Sequence, residues 1–284
     1  MKNIVYIALF FVTFISCEDV IEVDVPSEPP RLTVDALIRI NADEPISTAR
    51  VKVALTSSFF ESVTVAEVDE IRIINTDMVD PLSNSNTLEL LQTEPGIYEA
   101  QNDTSFFTEG NLQLLIVYEG QTFVAFSKYT PSAPIDELIQ GEQTLFTGDE
   151  TEIIISFTDN AERDDYYLFD FDGREFLVTE DEFYPGQTFR FSYFFDNDLA
   201  SGEVLTISLL GIDENFYNYM NQLIVQAGGD QGPFQTPAGT VRGNIINITG
   251  SDTIDSLDQV QDSTNFALGF FAVVQEYTMS ITIN

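Results

Sequence analysis

The sequence predicts an all-β protein with one or two helices, arranged as two β-sandwich-like domains, the first immunoglobulin-like or transthyretin-like. Three observations predict it. The aromatic content is 24 Phe and 11 Tyr with no Trp, a weighting that favours strands. Apolar and polar residues alternate in short runs separated by Pro, Gly, Asn and Asp, the pattern of sandwich strands. Only one stretch has the 3.6-residue period of an amphipathic helix. With 44% apolar residues in a chain of 284, there is enough to fill such cores.

The chain opens with Met-Lys-Asn and an apolar run from Ile4 to Ile15. This is the charged start and hydrophobic middle of an export signal over residues 1–16. The run falls short of the roughly 20 apolar residues that cross a bilayer. It ends Phe14-Ile15-Ser16-Cys17, which resembles the bacterial lipobox, in which cleavage leaves an acylated cysteine at the new terminus. Cys17 is therefore the expected lipidation site, carrying palmitate-type chains. One myristoyl chain alone holds a protein only marginally, whereas the three chains implied by the lipobox pattern would anchor it permanently. Cys17 is also the only cysteine, so no disulfide framework can form. Residues 17–30 read as a lipidated acidic stalk, with Pro26, Pro29 and Pro30 favouring extended geometry at about 3.1 Å per residue. The alternation Ile21, Val23, Val25 leaves open that this segment packs on a partner as an added strand.

The amino-terminal sandwich is expected over 31–131. Its strand-like runs are Leu32 to Ile40, Val51 to Thr56, Ile71 to Asn75, Leu88 to Gln92, Ile97 to Ala100, Leu112 to Tyr118 and Thr122 to Tyr129. Pro95-Gly96, Glu119-Gly120 and the Ser/Asn tract at 83–86 supply turns. Pro131-Ser132-Ala133-Pro134 breaks the pattern and marks the expected boundary.

A carboxy-terminal β-rich domain is expected over 135–284. Thr151 to Thr158 and Tyr166 to Asp172 lead it, with Asp172-Gly173 as a tight hairpin turn into Glu175 to Val178. Thr188 to Phe195 places Phe189, Phe191 and Tyr193 on one face, and Val204 to Leu210 does the same with Leu205, Ile207 and Leu209. One helix is expected near 213–227. Asp213 can cap it, Phe216, Tyr219, Met220, Leu223 and Ile224 form its apolar stripe, and Gly228-Gly229 can end it. Arg242 to Ile248, Phe266 to Gln275 and Thr278 to Ile283 read as closing strands around a polar loop at 250–264.

Charge removes whole function classes. There are 47 acidic and 11 basic residues, a formal net charge of −36. The cations are scattered singly, so no nucleic-acid partner is expected, because counterion release needs clustered Lys and Arg. His is absent. With one thiol and no imidazole, most zinc sites, Cys/His pairs and Ser/His/Asp triads fall away.

The second half also carries family-like segments: Asp165-Tyr166-Tyr167-Leu168-Phe169, Gly186-Gln187-Thr188-Phe189, Val204 to Ile212 followed by Asp213 to Leu223, Gly232-Pro233-Phe234, Gly243-Asn244-Ile245 and Ala267-Leu268-Gly269-Phe270-Phe271. With Arg31-Leu32-Thr33-Val34 and Pro95-Gly96-Ile97-Tyr98, they resemble a Bacteroidota outer-membrane lipoprotein family known only as a domain of unknown function. Members of that family commonly sit beside TonB-dependent transporters. The resemblance implies a partner of that kind and supplies no catalytic residues.

Acidic clusters are the candidates for ion chemistry: Asp159, Glu162, Asp164 and Asp165; Asp170 and Asp172; Glu180, Asp181 and Glu182; Asp196 and Asp198. Their spacing does not meet that of an EF-hand, and solvated hairpin loops are the simpler reading, so no metal or cofactor is expected. Asp252-Thr253-Ile254, Asp255-Ser256-Leu257 and Asp262-Ser263-Thr264 look like O-glycosylation acceptors of exported Bacteroidota proteins, with Thr253, Ser256 and Ser263 as candidate positions.

The leading expectation is a lipid-anchored, non-catalytic accessory or ligand-capture protein of the outer membrane, at the cell surface or on the periplasmic face. One alternative is a stand-alone module for a glycan, peptide or calcium-bound ligand, with an aromatic platform of Tyr166, Tyr167, Phe183 and Tyr184. Another is a carboxylate-dependent hydrolase with paired acids facing across a cleft.

Overall fold

The computed structural model describes residues 29–57, 64–78, 85–145, 148–181, 186–195, 199–227, 240–250 and 266–284. The protein is β-rich, with several sheets in sandwich-like layers, and one sheet runs through both halves of the chain. Its strands are β1 (Leu32–Ile40), β2 (Ile46–Leu55), β3 (Thr64–Val65), β6 (Leu91–Glu94), β7 (Ile97–Asp103), β12 (Tyr166–Phe171), β13 (Glu175–Glu180), β15 (Val204–Ile212) and β17 (Leu268–Thr282). They are ordered β13-β12-β15-β17-β1-β2-β7-β6, with β3 paired to β2.

Two smaller sheets cover one face of it. A five-stranded sheet, β16 (Ile246–Asn247), β9 (Gln121–Lys128), β8 (Asn111–Tyr118), β4 (Glu70–Asn75) and β5 (Thr87–Glu89), lies over the amino-terminal end. Val34, Ile38, Val51, Ile73, Leu114 and Phe271 are among the side chains that fill the space between. A three-stranded sheet, β10 (Ile135–Gln140), β11 (Thr151–Thr158) and β14 (Thr188–Phe195), lies over the carboxy-terminal end. Phe157, Tyr167, Phe169, Phe171, Ile207 and Leu209 are buried beneath it. Each half thus closes its own sandwich on a shared sheet.

The period of two assigns every side chain to a face. β1 turns Leu32, Val34, Ala36, Ile38 and Ile40 inward, all under 5% exposed, and leaves Thr33, Asp35, Leu37 and Arg39 outward. β2 buries Ser47, Ala49, Val51 and Val53 and turns Thr48, Arg50 and Lys52 outward.

β17 is one strand of 15 residues where the sequence suggests two. Its first half pairs in parallel with β1, Val34 opposite Gly269 and Ile38 opposite Val273. Its second half pairs antiparallel with β15, from Leu210 opposite Glu276 to Val204 opposite Thr282. The polar residues around Glu276 that suggest a break in sequence sit where β17 changes partner.

The proline tract between the halves is bonded into this sheet. The Thr130 N–H donates to the Val273 carbonyl, and the Gln275 N–H donates to the Thr130 carbonyl. The Ser132 N–H donates to Gln275 Oε1 and the Ser132 hydroxyl to the Leu209 carbonyl. Only glycine fits at position 211, because a Cβ there would stand 1.9 Å from the Pro131 carbonyl oxygen.

Local chemistry accounts for the turns. Glu119-Gly120 and Asp172-Gly173 have consecutive positive φ angles of 49° and 71°, and 59° and 71°, the twist that matches tight hairpins. α1 (Thr104–Thr108) was not anticipated; it buries Phe106 and Phe107 at one end of the first sandwich. β10 was not anticipated either, since Ile-Asp-Glu-Leu-Ile-Gln has no clean alternation. Arg242 to Ile248 forms a strand only at β16. The Asn244 side chain instead bonds the backbone of Phe126 and Phe271.

α2 (Glu214–Gln226) is the expected helix. Asp213 Oδ1 accepts from the Phe216 N–H at 2.7 Å. Phe216 packs on Phe270, ring centres 4.9 Å apart, and joins Leu168, Leu210 and Val274 in a third cluster. α2 therefore sits on the outer face of the shared sheet, opposite both sandwiches. Gly228-Gly229 lie outside the described residues.

Candidate functional site

α2 covers only part of the outer face. Between its Tyr219, Met220 and Leu223 edge and the outward side chains of β1 and β2 lies a cavity of about 580 Å³, within the range of small-molecule sites. Leu37 and Phe270 supply apolar floor, and Phe176, 36% exposed, closes one side. A second hollow of about 350 Å³ shares Asp35, Lys52 and Tyr219 with it and continues toward Leu268 and Gly269. The two form one groove.

The groove gathers charge of the scarcer sign. Three of the chain's 11 basic residues, Arg39, Arg50 and Lys52, line it with a single carboxylate, Asp35. In sequence these cations are scattered; the antiparallel pairing of β1 with β2 places Asp35 opposite Lys52 and brings the others onto the same face.

The three cations are not equivalent. Arg39 is held by Asp170 at 2.6 Å and Glu276 at 3.0 Å. Burial alone would lower its pKa, but the hydrogen bond to Asp170 and the charges of Glu276 and Asp170 outweigh burial and raise it. Arg50 reaches Glu99 at 3.4 Å with its side chain 60% exposed, a contact of little energetic weight. Lys52 has no side-chain ion pair among the described residues. Burial, with Asp35 nearby, pushes the Tyr219 hydroxyl up to about 12, so it is a neutral group at physiological pH.

The acidic clusters divide between interior and surface, and Asp159, Asp165 and Asp181 come together in the interior. Asp159, Asp165 and Asp181 are each more than nine-tenths buried, while Glu162, Asp164 and Asp172 are exposed. The Tyr167 hydroxyl lies 2.6 Å from Asp159 Oδ1 and 3.1 Å from Asp165 Oδ2, and Arg163 pairs with Asp165 at 2.8 Å. The Gly186 N–H donates to Asp159 Oδ2 at 2.9 Å. Asp181 Oδ2 is buried with no hydrogen-bond partner among the described residues, and its carboxyl is held above the usual range by burial first and then by the neighbouring acids. Among the described residues no group of three or more Asp, Glu, His or Cys is arranged to hold a metal ion. Asp170 serves a turn instead: its Oδ1 accepts from the Gly173 N–H at 2.6 Å. Glu150 and Glu152 are also buried; Glu152 accepts from Ser192 and the Gln143 N–H, which lower its pKa.

Tyr166 and Tyr167 do not share a face, as an aromatic platform would need. Strand alternation sends Tyr167 inward, fully buried beside Phe157, and Tyr166 outward against Tyr217. Phe183 and Tyr184 lie outside the described residues, as do Glu182, Asp196, Asp198, Cys17, Thr253, Ser256 and Ser263. No helix among the described residues is long and apolar enough to cross a membrane.

Comparison with known proteins adds a family and little else. The family model described as Domain of unknown function (DUF4249) matches residues 18–254. No curated protein matches the chain. Among solved structures, a chain from work on host cell surface retention of a 1.5-MDa bacterial ice-binding adhesin aligns at 13% identity, over 66% of this chain and 61% of that one. The TM-score is 0.21, too low to support any statement about this protein.

Proposed function

Because the chain belongs to the DUF4249 family, a domain of unknown function, we propose its role from its own residues: a lipid-anchored accessory of the cell envelope. It captures a small ligand in the outer-face groove and presents it to a TonB-dependent outer-membrane transporter. The observation that carries capture is the groove itself, a 580 Å³ hollow whose apolar walls and cations are the lining of a recognition site. The anchor rests on the export-like segment that ends at Cys17. The transporter rests on the resemblance of the chain to lipoproteins found beside such transporters.

Binding is favoured over catalysis by composition. With no His and a single Cys, imidazole bases and Cys/His or Ser/His pairs are missing, and a single carboxylate, Asp35, lines the groove where a carboxylate hydrolase needs a facing pair. The location we propose is the outer membrane, at the cell surface.

Three measurements test the parts separately. Metabolic labelling with a palmitate analogue is expected to mark the native protein and to leave a Cys17→Ser variant blank; label on the variant would refute the anchor. Protease shaving of intact cells is expected to remove the body, and protection would place it on the periplasmic face. Affinity purification from native membranes is expected to recover a TonB-dependent transporter. Ligand capture without a transporter would leave a stand-alone binding module.

A further inference from the structure

We infer that the outer-face groove takes a small amphiphile, an apolar body carrying one anionic head, with Arg50 and Lys52 as the residues that recognise the head. This rests on the reading of the groove as the capture site and names the class of molecule captured.

The apolar part follows from unfilled surface. Leu37, Met220 and Leu223 line the cavity and are only partly buried, and Phe176 is exposed beside them. Neighbouring side chains of the same outer cluster, Leu168, Leu210 and Phe270, are buried under α2. Among the described residues the groove is thus the uncovered remainder of a core, and a hydrocarbon body would complete the packing that α2 begins.

The head follows from charge. A chain with net charge −36 repels anions at long range, but salt screens that repulsion beyond about 10 Å, leaving local charges to decide. Arg39 already answers Asp170 and Glu276. Among the described residues Arg50 has one ion pair, a 3.4 Å contact with Glu99, and Lys52 has none. They lie two residues apart on the same face of β2, about 7 Å along the strand, so both can reach one head. Asp35, paired in register with Lys52, is the carboxylate that limits how much negative charge the site accepts.

A volume of about 580 Å³ suits one small molecule. A carboxylate and a phosphate would both satisfy Arg50 and Lys52, and the probes separate them. The protein purified from native membranes, in phosphatidylcholine nanodiscs, is irradiated with diazirine-bearing dodecanoate, dodecyl phosphate or dodecanol, and the adducts are mapped by peptide mass spectrometry.

The expected result is labelling on α2 and β1 that is about tenfold stronger for one of the anions than for the alcohol, the ratio that 1.4 kcal/mol produces. Arg50→Gln with Lys52→Gln removes that preference while labelling by dodecanol persists, which also reports that the groove is folded. Asp35→Asn widens the preference. Equal labelling by alcohol and anions, unchanged in these variants, would overturn the anionic head and leave capture standing. Absence of groove labelling by all three probes would overturn the capture reading with it.

Discussion

Gly269 and Val34 meet so closely that a Cβ built at position 269 would stand 1.7 Å from the Val34 carbonyl oxygen, and Gly269 has a φ of +103°. This contact lies in the parallel seam between β1 and β17, where the two halves of the chain join. Gly243 presses on the same point, since its Cβ would stand 1.5 Å from the Gly269 carbonyl oxygen.

Gly269→Ala should therefore destabilise the fold by more than the roughly 1–3 kcal/mol of left-handed strain alone, because backbone atoms must also separate. Gly120→Ala is the control: Gly120 has a φ of +71° with nothing within 4 Å of its would-be Cβ, so it should show strain only. Urea unfolding with equal losses for the two variants would remove the steric argument.

Arg39→Met leaves Asp170, whose side chain is 8% exposed, without its cation. The expected loss is about 3–5 kcal/mol, toward the lower end because the Arg39 side chain is 32% exposed. Adding Asp170→Asn should recover part of it by removing the stranded charge. A double variant no more stable than Arg39→Met would show that the loss comes from packing of the arginine stem.

Tyr167→Phe keeps the ring between Phe157 and its neighbours and removes the hydroxyl placed between Asp159 and Asp165. Two buried carboxylates then lose a donor, at a cost of roughly 1–3 kcal/mol. Thermal denaturation that matches the parent would mean that Gly186 and Arg163 suffice for them.

The fourth prediction concerns pH. The Asp181 carboxyl is raised above its ordinary value, chiefly by burial, so its ionisation opposes folding. The favourable contribution is present in full below the unfolded value near 3.9 and is lost as pH rises through the folded one. Asp181→Asn should consequently stabilise the protein at pH 7 and give no gain below about pH 4. Glu152 works in the opposite sense: its pKa is lowered, first by Ser192, so its contribution is present above the unfolded value and disappears as pH falls through the folded one. Denaturation midpoints measured from pH 3 to 8 separate the two; a constant difference for Asp181→Asn would exclude a titration effect.

Regular alternation made much of the fold legible. β1, β11 and β14 begin and end at the residues the sequence suggests, because each has a buried face and a polar one. The amino-terminal half of β2 was missed because its alternation is inverted at the start: Ile46 points outward and Ser47 inward. Pairing of β1 with β17 joins residues more than 200 positions apart, and no local pattern encodes that. The groove was illegible for the same reason: Arg39, Arg50 and Lys52 look isolated until register puts them on one face. Tyr166 and Tyr167 failed as a joint platform because adjacent strand residues point to opposite faces.

β1 emerges from Arg31 into the interior of the long sheet, with β17 on one side and β2 on the other. A pull applied from upstream of Arg31 along that strand would slide it past both neighbours, so its hydrogen bonds would resist in shear together instead of unzipping one by one. Chain pairing alone thus makes the body stiff against a pull along β1.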